Sequence, residues 1–164
     1  MQPEYHSAHI FQISISNGGV PKRAFPEAEL TELGLVGDVQ RHTKVHGGPE
    51  RALCIYSLEK ILELQLEGHP VFPGAVGENL TLTGLDWEQL VPGMRMRLGA
   101  EALVEITSYT VPCNHIAPYF QDEDKDRISQ KHNPGWSRVY AKVLTPGVLR
   151  TGDRVDIVPA MLNI

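Results

Sequence analysis

The sequence is almost without cysteine: Cys54 and Cys113 are the only two among 164 residues. At most one bridge could form, which excludes the disulfide framework of a small secreted domain. The cysteine set needed to hold an iron–sulfur cluster is missing too. No stretch approaches the roughly 18 consecutive apolar residues of a membrane-spanning helix. The opening MQPEYHSAHI lacks the basic and apolar regions of a signal peptide. Nor is there a basic excess: the net charge is −5, which argues against nucleic acid or an acidic membrane as partner. These absences together predict a cytoplasmic protein with reduced thiols.

What the chain has in quantity is turn chemistry. Its 15 glycines and 12 prolines are scattered as HGGP, HPVFPG, LVPG, NPG and TPG, between short apolar runs. That pattern reads as many turns rather than as a linker or a tail. No shift of composition marks a boundary, so residues 1–164 are expected to form a single domain, large enough to bury roughly 70% of its unfolded surface.

Several runs have strand grammar. AHIFQISIS (8–16) alternates, with Phe11, Ile13 and Ile15 on one face. RALCIYS (51–57) is apolar on both faces and reads as a buried strand. ENLTLTG (78–84) is another short strand, and GMRMRLG (93–99) with EALVEITSYTV (101–111) suggests two strands joined by a tight turn. SRVYAKVLTPG (137–147) and GDRVDIVP (152–159) look like a closing pair. The clearest helix is SLEKILELQLEG (57–68), with Ser57 as N-cap, an apolar stripe of Leu58, Ile61, Leu62 and Leu66, and Gly68 at its end. About seven short strands with few helices predict a mainly β fold, closed as a barrel.

Four stretches could carry chemistry. In GDVQRHTKVHGGPERALCIYS (37–57) the bases Arg41, Lys44 and Arg51 flank Gly47 and Gly48. A glycine pair lets backbone N–H groups approach an anion, though a solvated turn has the same composition. The loop lacks the spacing of a Walker or Rossmann glycine motif. His42 and His46, with Cys113 and His115, are zinc-ligand types, but neither pair has a standard finger spacing. In VGENLTLTG (76–84), Asn79 offers both a donor and an acceptor to a ligand, or closes an Asx-turn. Trp136 and Arg138, in NPGWSRVYAKVLTPG, could wall a pocket.

The fourth stretch is TVPCNHIAPYF (110–120). Pro112 fixes the chain just ahead of the Cys113 thiol, and a helix starting after it would favour a thiolate. Cys54, inside an apolar strand, fits the role of a small buried hydrophobe, whereas Cys113 sits at an element boundary among polar residues.

Taken in order, GLVGDVQRHTKVHGGPERALCIYS, VGENLTLTG, TVPCNHI and WSRVYAKVLTPGVLRTGDRV resemble the MOSC domain family over residues 34–158. This is the C-terminal domain of molybdenum cofactor sulfurases, also found as small stand-alone bacterial proteins and in mitochondrial amidoxime-reducing components. The resemblance implies a MOSC-type β-barrel. It also implies that the protein binds the molybdenum cofactor (molybdopterin), with Cys113 as molybdenum ligand and catalytic thiolate. His46, Gly47, Gly48, Arg51, Tyr56, Ser57, Glu78 and Asn79 would help bind the cofactor, as would Asn114 and His115. The implied reaction is reduction of small N-hydroxylated compounds, with electrons from an external flavin or iron–sulfur protein. Two alternatives remain open: a sulfur carrier loaded by a cysteine desulfurase, with a persulfide on Cys113, or a module that only binds the cofactor. The pyridoxal phosphate of full-length sulfurases belongs to a domain this chain has no room for.

Overall fold

In a computed structural model, residues 7–39 and 48–159 are described. Eleven strands dominate them. They are β1 (His9–Ile15), β2 (Arg23–Phe25), β3 (Glu27–Thr31), β4 (Gly34–Leu35), β5 (Leu53–Ser57) and β6 (Leu80–Thr83), then β7 (Arg95–Leu98), β8 (Ala102–Tyr109), β9 (Val139–Thr145), β10 (Gly147–Arg150) and β11 (Val155–Val158). Among the described residues one α-helix, α1 (Leu58–Leu66), joins β5 to β6, and short 3-10 turns lie in other connections.

Eight strands form one sheet in the order β11-β7-β8-β9-β5-β6-β1-β2, and β10-β3-β4 form a second. Among the described strands every pairing is antiparallel except β5 with β6, the pair that α1 connects. Parallel neighbours need such a crossover, because a tight hairpin cannot reverse the chain twice. The fold is thus mainly β with few helices, but the expected closed barrel is corrected to an open, mixed sheet. The sheet curls until His9 meets Arg154 in a single antiparallel bridge. Backbone hydrogen bonds link Ala8 and Ile10 to the 152–155 turn around that bridge, but β1 and β11 do not go on to pair as strands. The supposed closing pair is corrected as well: β9 pairs with β5 and β8, while β11 pairs with β7.

The core lies against the sheet, where Ile10, Ile13, Leu53, Ile55, Leu80, Leu82, Val104 and Val139 are fully buried. Strand β5 is buried along its whole length, as its two-sided apolar pattern requires. In β1 the simple alternation fails. A register shift between Ile10 and Gln12 turns Phe11 outward and buries Ile10 with Ile13 and Ile15. Helix α1 is capped by Ser57, whose hydroxyl accepts the Lys60 N–H at 3.2 Å. Its buried residues are Ile61 and Leu64, so the stripe is rotated from the expected one and leaves Leu62 and Leu66 exposed. Gly68 ends the helix region at φ 101°, which suits glycine.

Candidate functional site

A cleft opens beside the N-terminal ends of β5 and β6, where the first ladder positions are finished by a side chain. The Asn79 N–H donates to Cys54 O at 2.7 Å, and the Cys54 N–H donates back to Asn79 Oδ1 at 3.0 Å. The Asn79 amide nitrogen donates to Asp38 Oδ2 at 2.9 Å and to Ser14 O at 3.4 Å. Asp38 Oδ1 in turn accepts from Lys22 Nζ at 2.7 Å and from the Ser16 N–H at 3.0 Å. Both side chains of the Lys22–Asp38 pair are more than nine-tenths buried. The result is a charged and amide network tying β1, β5 and the chain after β4 into one floor. Gly74 helps place Lys22: its carbonyl accepts the Lys22 N–H at 2.8 Å, and a Cβ on Gly74 would strike the Lys22 carbonyl.

Above this floor lies a cleft open to solvent. Cys54, Asn79 and Lys22 line one side; Cys113, His115 and Ile116 line another; Arg138 and Tyr140 come from the start of β9. Cys113 is half-buried and caps a 3-10 helix, Asn114–Tyr119, with extended backbone at φ −115° and ψ 167°. The expected helix start is therefore present, but as six residues of 3-10 geometry with Pro118 inside, too short for a strong macrodipole.

The two thiols line the same cleft with different surroundings. Cys54 is 6% exposed, and burial pushes its thiol above the ordinary value, partly offset by the nearby Arg138 charge. Its Sγ lies 4.0 Å from Thr110 Oγ1. Burial likewise raises the Tyr140 phenol, with the neighbouring Cys54 adding to the shift.

The other sequence-derived candidates fall into distinct places. Gly48 stands at φ 90° ahead of the 3-10 turn Pro49–Arg51, and the Arg51 guanidinium lies 5.3 Å from the Tyr140 ring centre, so Arg51 reaches the cleft wall. His46 and Gly47 lie outside the described residues, as do Arg41, His42 and Lys44. Asn114 is exposed beside Cys113. Tyr56 is fully buried away from the cleft, donating its hydroxyl to Trp136 O at 2.6 Å, while Ser57 caps α1. Glu78 is fully buried, and its two oxygens have no hydrogen-bond partner among the described residues. The amides of Gly74 and of Glu78 itself lie near enough to favour the charged carboxylate without making well-formed bonds to it. Burial outweighs them and the Arg138 charge, and pushes Glu78 up to about 8.

Lys22 and Cys54 are cleft residues that the sequence did not single out for the site. Arg138 was visible only as a possible wall. Among the described residues no group of three or more His, Cys, Asp or Glu side chains could hold a metal ion by itself. No helix among them is long and apolar enough to cross a membrane.

An open, curled β-sheet with a thiol-bearing cleft at the ends of its parallel pair defines a class, and comparison with known proteins supplies the family. The family model for the MOSC domain matches residues 42–156, and the chain belongs to that family. The chain is 34% identical to Protein YiiM of Escherichia coli strain K12 over 143 residues, covering 84% of this chain and 62% of that protein. It is thus similar to a relative of which it spans less than two thirds. A protein of Gibberella moniliformis called "Reductase" is 28% identical over 76% of this chain and 22% of its own length. Among solved structures, YiiM from Geobacillus stearothermophilus superposes with a TM-score of 0.74 at 25% identity, covering 93% of this chain and 75% of that one.

Proposed function

We propose that this MOSC protein binds the molybdenum cofactor in the Cys113 cleft and reduces N-hydroxylated compounds. The observation that carries the reading is a solvent-reachable thiol, Cys113, on the wall of a cleft that also holds Arg138 and Lys22. Thiolate is a soft ligand suited to such a metal, and the Arg138 guanidinium suits an anionic pterin, Lys22 being paired with Asp38. The residues present therefore fit the cofactor. Cys113 would hold the metal, and Arg138, His115 and the Arg51 loop would face the organic part. When bound, the cofactor would supply two-electron oxygen-atom chemistry.

The chain's own residues would do the rest. The Lys22–Asp38–Asn79 network would keep the floor rigid, and Tyr140, backed by Arg51, would shape the wall. Converting an N–OH group to N–H and water takes two electrons and two protons. With two cysteines in the chain, those electrons would come from a separate flavin or iron–sulfur protein. A relative called "Reductase" supports the redox reading.

The test is anaerobic purification from a cofactor-producing host, metal analysis, and assay against hydroxylaminopurines and amidoximes with an artificial reductant. Metal-bearing protein with turnover is expected. Protein that never acquires molybdenum would sink the reading.

The exposure of Cys113 also suits a second reading, a sulfur carrier, because a donor enzyme could reach it. Incubation with a cysteine desulfurase would then add a reducible 32-dalton mass to Cys113. An unchanged mass would remove that alternative.

A further inference from the structure

The segment that carries Cys113 is tied down at the C-terminal end of α1, by side chains that do not line the cleft. Cys113 caps the 3-10 helix Asn114–Tyr119, and its carbonyl accepts the Ile116 N–H at 3.2 Å. Directly after that helix, the buried Phe120 ring lies 5.4 Å from the His69 ring, centre to centre. The next amide, the Gln121 N–H, donates to His69 Nδ1 at 3.0 Å. An accepting Nδ1 means that the neutral ring carries its proton on Nε2, which stands 3.6 Å from Glu67 Oε1. Glu67 also receives the Arg127 fork, Nε on Oε1 and Nη2 on Oε2, both at 2.8 Å. The Arg127 guanidinium lies over the Trp136 ring, 3.8 Å from its centre, and Lys60 of α1 approaches the same ring at 4.1 Å. Trp136 stands two residues before Arg138, so one helix holds both stretches of chain that wall the cleft.

We propose that the end of α1 is a latch on the arm that carries Cys113, and that protonation of His69 releases it and loosens the cleft wall. The contact that changes is a single acceptor. A histidine that gains a proton donates from both nitrogens, so Nδ1 then meets the Gln121 N–H donor to donor and the bond is lost. His69 is thereby a positioning residue for Cys113, acting through the 3-10 helix between them.

Among the described residues, Glu67 and Arg127 are the charged side chains bonded at this junction, while Phe120 and Gln121, on the arm, are neutral. Glu67 attracts the charged ring, but that attraction stays within the end of α1 and adds nothing to its hold on the arm. It draws on Oε1, the oxygen that Arg127 Nε uses, and the charged ring repels Arg127. The Arg127 fork holds the Glu67 carboxyl below the ordinary carboxylate range, so Glu67 stays charged while His69 takes its proton. Protonation therefore removes one tie and weakens the second. The latch belongs to the chain itself and holds whichever ligand Cys113 takes.

The test uses the cofactor-free full chain and two readouts. The first is hydrogen exchange by mass spectrometry, corrected for the intrinsic effect of pH, on peptides covering residues 114–128 and 51–57. From about pH 7.5 to about pH 5.5 the protection of 114–128 should fall at least about tenfold while that of 51–57 holds. His69→Asn offers an acceptor that does not titrate, so its 114–128 protection should be the same at both pH values. The second readout is the rate at which iodoacetamide alkylates each cysteine at a single pH, about 7.5, where His69→Ala should speed Cys113 at least about threefold and leave Cys54 unchanged. Four outcomes would each overturn the proposal: protection of 114–128 independent of pH in wild type, an equal fall in His69→Asn, an unchanged Cys113 rate in His69→Ala, or equal acceleration of Cys54, which would mean general loosening. Neither readout involves molybdenum, so failure here and failure of the cofactor reading are told apart.

Discussion

Two cysteines border one cleft, and their surroundings separate their chemistry. Cys54 belongs to the central strand β5, with its N–H on the Asn79 side chain and its carbonyl on the Asn79 N–H. Its thiol is buried and pushed up by that burial. Cys113 follows β8, after a buried proline, where the ladder has ended and a 3-10 turn begins. It is half-buried, on the wall instead of the floor. The contrast teaches that sharing a cavity does not make two thiols equivalent. What distinguishes them is whether the backbone around the sulfur is locked in a sheet or held at an element boundary.

The contrast can be broken most directly by reactivity. In the native protein Cys113 should alkylate at least about a hundredfold faster than Cys54, because Cys54 is nearly buried in the cleft floor and burial holds its thiol protonated. Mass spectrometry of peptides after short exposure to iodoacetamide measures both rates, and comparable rates would erase the distinction between wall and floor.

Next in size is the titration of Glu78, whose charged form adds to the rise of the Cys54 thiol. Its folded pKa, about 8, stands above the ordinary carboxylate value of 4.5, so the folded state binds the proton more tightly. The stability from the protonated carboxyl is complete below pH 4.5 and is lost as pH rises through 8. Glu78→Gln removes that dependence. The stability of the variant relative to wild type should therefore rise with pH across this window, by up to roughly 1.4 kcal/mol per pH unit. Urea unfolding at several pH values reads it, and a flat difference would contradict the assignment.

Smaller effects sharpen the floor. Asn79→Ala leaves the Cys54 N–H and one Asp38 oxygen without their partner, and should cost about 2–4 kcal/mol by denaturant titration. A cost below about 0.5 kcal/mol would show that the network does not hold the floor. Smallest is Ser57→Ala, which removes the cap of α1 at a cost of about 1 kcal/mol. Ser57 caps a helix outside the cleft, so the substitution should leave molybdenum content unchanged. A loss of metal would show that Ser57 touches the cofactor.

Much of the fold was legible where pattern and burial coincide. The two-sided apolar run of β5, the paired β7 and β8 and the caps of α1 were all local signals. The short edge strand β2 was not, because its three residues are exposed and carry no alternation. Sheet closure was not legible either, since the meeting of His9 with Arg154 joins segments near the two ends of the described chain. In the site, Cys113 was readable from its position between a proline and polar residues. Arg138 was readable as a possible pocket wall but not in its bonding, and Lys22 not at all, because their partners lie far along the chain: Asp38, 16 residues from Lys22, and Val76, 62 residues from Arg138.

In the proposed site Cys113, and not Cys54, would hold the metal. The most direct measurement is the ratio of molybdenum to protein in wild type, Cys113→Ala and Cys54→Ala, each purified anaerobically from the same cofactor-producing host. Metal is expected in wild type and in Cys54→Ala, and background levels in Cys113→Ala. Full retention of molybdenum by Cys113→Ala would contradict that assignment.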